Sequence, residues 1–587
     1  MFRGFRLQFL ALIVAATVFA FAAVFRVSRV AQVQPPPAST PAPSDDKISP
    51  RSSPAFPPPP AGEEVAVARS QATDRGKYRE GLVGTVQRLN PVFAQLNPVD
   101  QDITSLIFQG LFATNEYGSP VLDLAENLTI SGDKLEYVLE LRQDINWQDG
   151  VAFGADDVIY TMSLLSDPDY AAYSPSAEFW RTVETQKLGD HLLRFRLAQP
   201  LAGFTRLLTI GILPEHALRG TTVSLLAQHP FNLSPIGTGA YQLGELRADP
   251  SGKISAILLQ LSPVYEARRD AQNSHQLREL LFNLYANADD AIQAYRRSEI
   301  DVLANVGARE DLLSLPGARL HTSMDSTVQI LIFNWEEPAF ADRRMRRALA
   351  LGLDQMALVE AHLAGEALYA DSPLIPGMPV YQPNGFWSAH DPALAVSMIE
   401  AVSSANSDAG ESDEREGEGA ATAVFSLLVE DSHSLTGLAF DIAAQWRELG
   451  LAVEVASVMP DQLMTRLRAG EFDAAIVSQR IGGEPDVYRF WHPAQAIKGQ
   501  NYGSAAENEI AELLDSARRA SNGVARHQMY QQFQEIFAEK AIAIPLYYPL
   551  YSMIVRDSID GVRLGFIGKA SDRFRGISSW RLATSTS

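Results

Sequence analysis

Nine consecutive positions, 478–486, read Ser-Gln-Arg-Ile-Gly-Gly-Glu-Pro-Asp. Arg480 supplies a fixed cation, suited either to an anionic ligand group or to pairing with Glu484. Gly482 and Gly483 leave the backbone open to close approach. Gln479, Ile481 and Asp486 complete this candidate binding stretch. A second cationic group, Arg343, Arg344 and Arg347, would in kind hold an anion. On a helix it reads instead as a solvated face near acidic neighbours.

Signatures of covalent or metal chemistry are missing. There is no HExxH helix and no GxSxG elbow. Gly568-Lys569 looks like the end of a phosphate loop. However, Arg563 stands where the upstream glycine belongs, and Ala570 replaces the Ser or Thr that would hold magnesium. Gly237-Thr238-Gly239 lacks the third glycine of a dinucleotide fingerprint. The 10 histidines are scattered without ligand spacing. The absence of cysteine excludes disulfides, thiolate zinc sites, iron–sulfur clusters, cysteine nucleophiles and a lipid-modified cysteine. The 70 carboxylates ensure that some meet in space, but the sequence singles out no catalytic pair. No cofactor and no metal are expected.

The elements around the 478–486 stretch are legible. Residues 424–429 form an apolar, strand-like run. Leu438, Ile442, Trp446 and Leu449 mark a helix over 436–449, with Gly450 at its C-terminal end. A strand at 451–458, a short helix at 461–469 ended by Gly470, and a strand at 472–477 follow. This β-α-β-α-β order implies a largely parallel sheet with right-handed crossovers. Ligands bind beyond the carboxyl ends of such strands, which makes 478–486 a cleft loop on physical grounds alone. A further helix is expected over 343–363, striped by Met345, Ala348, Leu349, Gly352, Met356, Val359 and Leu363. Residues 403–419 are acidic and rich in Gly and Ser without apolar periodicity, and read as an exposed disordered loop. They lack the spacing of a calcium-binding EF-hand loop. No repeat of solenoid length is found.

With 587 residues, 46% of them apolar and 20% charged, the chain has material for roughly three to four packed units. A net charge of -21 argues against a phosphate-backbone binder, so no nucleic-acid partner is expected. Arg3 and Arg6 precede an uncharged run at 7–25, closed by Arg26 and Arg29. That run, at 1.5 Å per residue, spans roughly 28 Å, about one hydrocarbon core. We read it as a signal anchor with a cytoplasmic N-terminus. The alternative is a secretory signal cleaved after Ala20-Phe21-Ala22. Both export the remainder of the chain. Residues 31–79 begin with a Pro/Ser-rich stretch, including Pro35-Pro36-Pro37 and Pro57-Pro58-Pro59-Pro60, that acts as an extended tether.

Ordered motifs then carry a resemblance. Leu96-Asn97-Pro98 and Ile107-Phe108-Gln109-Gly110-Leu111-Phe112 come first. The most diagnostic stretch is PVLDLAENLTISGDKLEYVLELRQDINWQDGVAFGADDVIYT, residues 120–161. It aligns Leu141-Arg142, Trp147, Asp149-Gly150, Phe153, Ala155 and Asp157-Val158. Next are Ile212-Leu213-Pro214-Glu215-His216, Pro235-Ile236-Gly237-Thr238-Gly239-Ala240-Tyr241 and Glu299-Ile300-Asp301. Phe333-Asn334, Arg346-Arg347-Ala348-Leu349 with Asp354, Leu449-Gly450-Leu451, Glu471-Phe472-Asp473 and Ile544-Pro545-Leu546-Tyr547 complete the series. From about 84 to 561 the chain resembles the family 5 extracellular solute-binding proteins, the dipeptide-, oligopeptide- and nickel-binding receptors of ABC importers.

The resemblance implies a two-lobed α/β fold of the type II periplasmic-binding-protein kind with an extra domain. Lobe I would comprise 80–112, 232–295 and 545–587, the extra domain 113–231, and lobe II 296–544. It implies a monomeric receptor that binds a peptide or similar small solute between lobes and delivers it to ABC permease subunits, without covalent chemistry. Asn334 and Tyr502 join 479–483 and Asp486 in the expected ligand-binding set. Peptide-binding relatives carry an aspartate for the peptide amino group in the loop after the last lobe strand. Aligning on Pro485-Asp486 puts Ile481 at that position. The residues themselves also leave open an anchored sensory or chaperone-like binding protein, and a hydrolase for which no motif is present. Trp147 reads as a packing residue, Asp156 and Asp157 as helix-start carboxylates, and Gly237 and Gly239 as sites of close backbone approach.

Overall fold

The computed structural model describes residues 77–583, apart from 175, 269, 272–273, 306–313, 316, 364, 388, 410–423, 484, 498 and 521–522. The apolar run 7–25, the tether from 31 to 76 and the acidic stretch 410–419 lie outside the described residues. Among those described, no helix is long and apolar enough to cross a membrane.

Twelve strands form one mixed sheet: β1 (Tyr78–Val83), β2 (Tyr241–Ala248), β3 (Ile254–Leu261), β4 (Glu279–Tyr285), β5 (Val302–Ala304), β6 (Ala318–Met324), β7 (Thr327–Phe333), β8 (Ala367–Tyr369), β9 (Val424–Glu430), β10 (Ala452–Val458), β11 (Ala474–Arg480) and β12 (Ala543–Arg556). Their path is β10-β9-β11-β7-β12-β5-β1-β4-β3-β2, with β6 and β8 also paired to β12. The expected β-α-β-α-β unit is present, with β9 parallel to both β10 and β11. Gly450 (φ 87°) and Gly470 (φ 71°) end its helices in the left-handed region, where glycine carries no steric penalty. The unit does not make a parallel sheet overall, because β7 runs antiparallel to β11 and β12 runs antiparallel to β7.

Two large hydrophobic cores, with two smaller clusters beside them, are built around this sheet among the described residues. One gathers residues from Tyr78 to Val302 and from Tyr551 to Trp580, and the other residues from Val328 to Tyr548. The chain leaves the first of these cores after Val302 and returns to it at Tyr551, while the second spans Val328 to Tyr548. The 14-residue β12 extends through the second changeover. Residues 113–231 hold a four-stranded antiparallel sheet, Ala125–Ile130, Glu136–Leu141, Leu192–Arg196 and Glu184–Gly189 in spatial order. Its apolar face enters the first core and makes no separate one.

Trp147 is fully buried and its indole donates to Asp157 Oδ2 at 3.2 Å. Asp157 also accepts from the N–H groups of Gly154 and Glu215 at 3.0 and 2.8 Å, capping its own helix and tying it to the start of the short helix Glu215–Leu218. Gly237 and Gly239 lie against the backbone of Ile107. A Cβ at Gly237 would meet that carbonyl oxygen at 1.9 Å.

Two helix expectations change. The stretch 343–363 is two helices, Arg343–Leu351 and Gln355–Leu363. Gly352 closes the first, and Asp354 accepts from Ala357 N–H at the start of the second. The helix Pro392–Ala409 reaches into the segment read as a loop. Its Ser/Ala-rich end contains no breaker before Gly410, and Ser404 bonds back to the Glu400 carbonyl at 2.6 Å.

Candidate functional site

The chain passes between the two cores twice, on neighbouring antiparallel paths. β6 pairs with β12 at 550–556 and β7 pairs with it at 543–547, so Asp325-Ser326 breaks what would otherwise be one strand. β11 ends beside that break, with Arg480 opposite Thr327. On its other side, the parallel ladder with β9 covers only Leu427-Leu428 against Ala474-Ala475. No pairing between the two strands is present beyond those positions, toward their carboxyl ends, among the described residues.

Arg480 is half-exposed at this break. Its Nη1 lies 3.4 Å from Asp325 Oδ1 and donates to the Gly568 carbonyl at 3.2 Å. Asp325 is nearly buried, and its Oδ1 accepts from the Thr327 hydroxyl at 2.7 Å. Ser326 N–H donates to the Ile567 carbonyl at 2.9 Å, Ser326 Oγ donates to the Gly568 carbonyl at 3.0 Å, and Ile481 N–H donates to the Ser326 carbonyl at 2.8 Å. Three chain stretches, at 325–327, 480–483 and 567–568, are thus stitched together through main-chain bonds. Arg489 donates to the Arg480 carbonyl, and burial pulls its guanidinium below the ordinary arginine value while Asp486 opposes the shift. In a chain of net charge -21, the guanidinium groups of Arg206, Arg480 and Arg489 gather around this junction.

The other expected residues divide into two groups. Gly482 (φ 77°) and Gly483 continue from Arg480, and Gly483 packs against Arg206 and the Gly118 carbonyl. Ile481 is a buried member of the second core and offers no side-chain acceptor. Gln479 is buried and alternates away from Arg480 along β11. Its Oε1 has no hydrogen-bond partner among the described residues. Asp486 is committed to Arg518, whose Nη2 donates to it at 2.7 Å, and caps Tyr488 N–H. Glu484, the alternative partner for Arg480, lies outside the described residues.

Asn334 and Tyr502 are not brought to this junction. Asn334 follows β7 at the end that faces Ala474, about 20 Å along the strand from Arg480 at ~3.3 Å per residue. Its amide donates to the Phe472 carbonyl at 3.0 Å and its oxygen accepts from Glu336 N–H, so it shapes a turn. Tyr502 belongs to the same end. The adjacent Gly503 accepts from Trp335 N–H, and burial pushes the Tyr502 phenol up.

Sequence reasoning missed Asp325, Arg206, Gly118 and Gly568. Asp325 carried one signal, a polar Asp-Ser pair between two strand-like runs. The other three reach the junction only through long-range packing. Among the described residues no group of His, Asp and Glu is arranged to hold a metal ion.

Residues 119–501, well over half of the chain, match the family described as bacterial extracellular solute-binding proteins, family 5. The oligopeptide-binding protein AppA of Bacillus subtilis is 24% identical over 495 residues, covering 82% of this chain and 88% of AppA. The dipeptide-binding protein of Escherichia coli is 21% identical over 479 residues, covering 76% of this chain and 84% of its own. Among solved structures, the substrate binding protein CtaP of Listeria monocytogenes superposes with a TM-score of 0.74 at 20% identity, covering 87% of this chain and 99% of CtaP. NikZ from Campylobacter jejuni, solved with Ni(L-His), gives 0.67 at 20% identity, covering 86% and 99%. The α/β architecture is that of the periplasmic binding proteins, and the chain belongs to the family 5 bacterial extracellular solute-binding proteins, acting as a solute-binding receptor.

Proposed function

We propose that the protein binds a peptide or a similar small charged solute between two lobes built on its two cores, and delivers it to the permease of an ABC importer. The carrying observation is the Asp325–Arg480 pair. It sits where the chain crosses between cores on only two paths, beside the open carboxyl end of β11. Two adjacent antiparallel crossings make a hinge, because a few backbone angles near 325–326 and 549–550 suffice to swing one core against the other. The pair offers both signs of charge at the hinge, which matches a molecule with an ammonium and a carboxylate. The relatives named for oligopeptides and dipeptides support a peptide class. With Ile481 where peptide-binding relatives carry an aspartate, we assign the ammonium to Asp325 and the carboxylate to Arg480.

No bond is broken in this function, and the protein acts as a monomer. The run 7–25 anchors it in the membrane and the Pro-rich tether gives it reach. Mature protein then keeps Met1 or Phe2 and stays with membranes after a high-salt wash, whereas an N-terminus at Ala23 in a soluble fraction refutes the anchor.

Mass spectrometry of small molecules released by denaturing the purified protein tests the solute class. Peptides of a few residues are expected, with calorimetry of the recovered species on stripped protein giving saturable binding. Recovery of a non-peptide solute overturns the class. Adjacent permease and ATPase genes would support import, and their absence would favour the sensory reading.

A further inference from the structure

We infer that Arg206, together with Gly483, forms a latch that exists only when the two lobes are closed, and that Gly483 sets how far they close. This rests on the hinged-receptor reading above. Arg206 belongs to the short helix Phe204–Leu207, which packs in the first core. Its Nη1 donates to the carbonyl of Gly118, at the turn of a hairpin between strands Phe112–Thr114 and Pro120–Leu122. Gly118 and Gly568 both lie between residues of that same core, so they move with Arg206. Gly483 does not: it lies between Ile481 and Val487 of the second core.

The fit at Gly483 leaves no room. A Cβ there would stand 2.2 Å from Arg206 Nη2 and 2.7 Å from the Gly118 carbonyl oxygen. Moving the arginine relieves the first clash and leaves the second, which is against backbone. The site is closed from the opposite direction as well. A Cβ at Gly118 would stand 3.6 Å from the Gly483 Cα, and one at Gly568 would lie 3.6 Å from Arg206 Nη2 and 3.8 Å from the Gly483 N. A planar guanidinium is therefore held among three backbones that lack side chains. Two of those backbones belong to one lobe and the third arrives from the other. Opening the hinge removes Gly483 from the cradle and leaves the Arg206–Gly118 bond intact. The latch thus adds stability to the closed state alone, and apparent solute affinity scales with the closed fraction.

The chain contains no cysteine, so two dyes can be placed without background labelling. Leu225→Cys lies on the first lobe and Phe440→Cys on the second, at side chains 64% and 51% exposed. Single-molecule energy transfer between them is read on full-length protein as purified and after removal of small molecules in denaturant. Gly483→Ala and Arg206→Ala are each expected to lower the ratio of closed to open molecules at least about fivefold. Both should melt within about 2 °C of the parent. Arg206→Lys keeps the charge but not the planar fork, and should behave like the alanine variant. Unchanged distance distributions in Gly483→Ala and Arg206→Ala overturn the latch. If the parent shows two distances and the variants match it, the hinged receptor stands and only the latch fails. If the parent shows a single distance under both conditions, the hinge fails with it.

Discussion

Arg573 is fully buried between two carboxylates, and its replacement gives a sharp test of how the C-terminal wall of the site is held. Its Nε donates to Glu80 Oε1 at 2.9 Å, and its two terminal nitrogens donate to Asp102 at 2.8 and 2.7 Å. Tyr78 donates to the other oxygen of Glu80 at 2.7 Å. Burial pushes the Glu80 carboxyl up to about 6, with Arg573 pulling the other way. Because that folded value lies above the ordinary one of 4.5, the folded state holds the extra proton between about pH 4.5 and 6. Stability from this group is therefore greatest below that window and falls as pH rises through it, by about 2 kcal/mol for a shift of this size. Arg573→Met removes the opposing cation, leaves both carboxylates buried, and drives Glu80 further up. The expected loss near pH 8 is about 3–5 kcal/mol. Near pH 5 Glu80 is protonated in parent and variant alike, so the lost attraction between Glu80 and Arg573 no longer counts and roughly half of that loss should disappear. Urea unfolding followed by tryptophan fluorescence at the two pH values reads both numbers. Equal losses at pH 5 and pH 8, or a loss below about 1 kcal/mol at pH 8, would refute the reasoning. The segment Ala570–Ser579 that Arg573 anchors lies close after Gly568, whose carbonyl accepts from Arg480.

Three further outcomes are expected. Arg480→Ala should weaken binding of the recovered solute at least about tenfold, equal to 1.4 kcal/mol. The melting temperature of stripped protein should barely move, because a half-exposed pair contributes only about 0–1 kcal/mol, and unchanged calorimetric affinity would remove Arg480 from the site. Gly237→Ala should destabilise by roughly 1–3 kcal/mol through its contact with the Ile107 carbonyl, while Gly132→Ala, with nothing within 4 Å, should be nearly neutral in the same denaturation assay. Asp157→Ala strands the N–H groups of Gly154 and Glu215 and the Trp147 indole, and should cost about 2–4 kcal/mol of stability. A change under 1 kcal/mol in urea would mean that these donors find other partners.

The β-α-β-α-β unit was legible because its signals are local. The apolar stripe of Leu438, Ile442 and Trp446 repeats at the helical period, and Gly450 and Gly470 mark the helix ends. The antiparallel insertion of β7 and β12 into the same sheet was not legible, since it depends on pairing between residues some 200 positions apart. Asn334 failed for a related reason. A motif match locates a residue along the chain but not the end of the sheet at which its strand finishes, and antiparallel pairing sent β7 away from Arg480. The arginine face at 343–347 shows the limit of pattern reading. Arg344 pairs with Asp342 at the surface as expected, but Arg346 is buried over the Trp335 ring at 3.8 Å and donates to the carbonyls of Phe340, Ala341, Lys540 and Ala541. Its carbonyl partners come from 194 or more residues away in two of four cases, and no local pattern encodes them.

Why residues 478–486 could be singled out from sequence while Asp325 could not follows from the same distinction. Residues 480–483 announce themselves by composition: a cation and two glycines after an apolar strand. Asp325 is a lone acidic residue among 70 acidic residues, and acquires meaning only because the break between β6 and β7 lands beside the end of β11. That placement also explains how binding and closure can be one event. In the proposed reading the two charges sit on different elements: Arg480 belongs to β11 of the second core, while Asp325 forms an isolated bridge with Ile567 of the first. A solute that takes up both charges draws the same two elements together as the pair does alone. Under the proposed hinge, closure would bring Gly483 into the cradle around Arg206, so that hinge and latch would act on one coordinate from opposite ends of the short 480–483 segment.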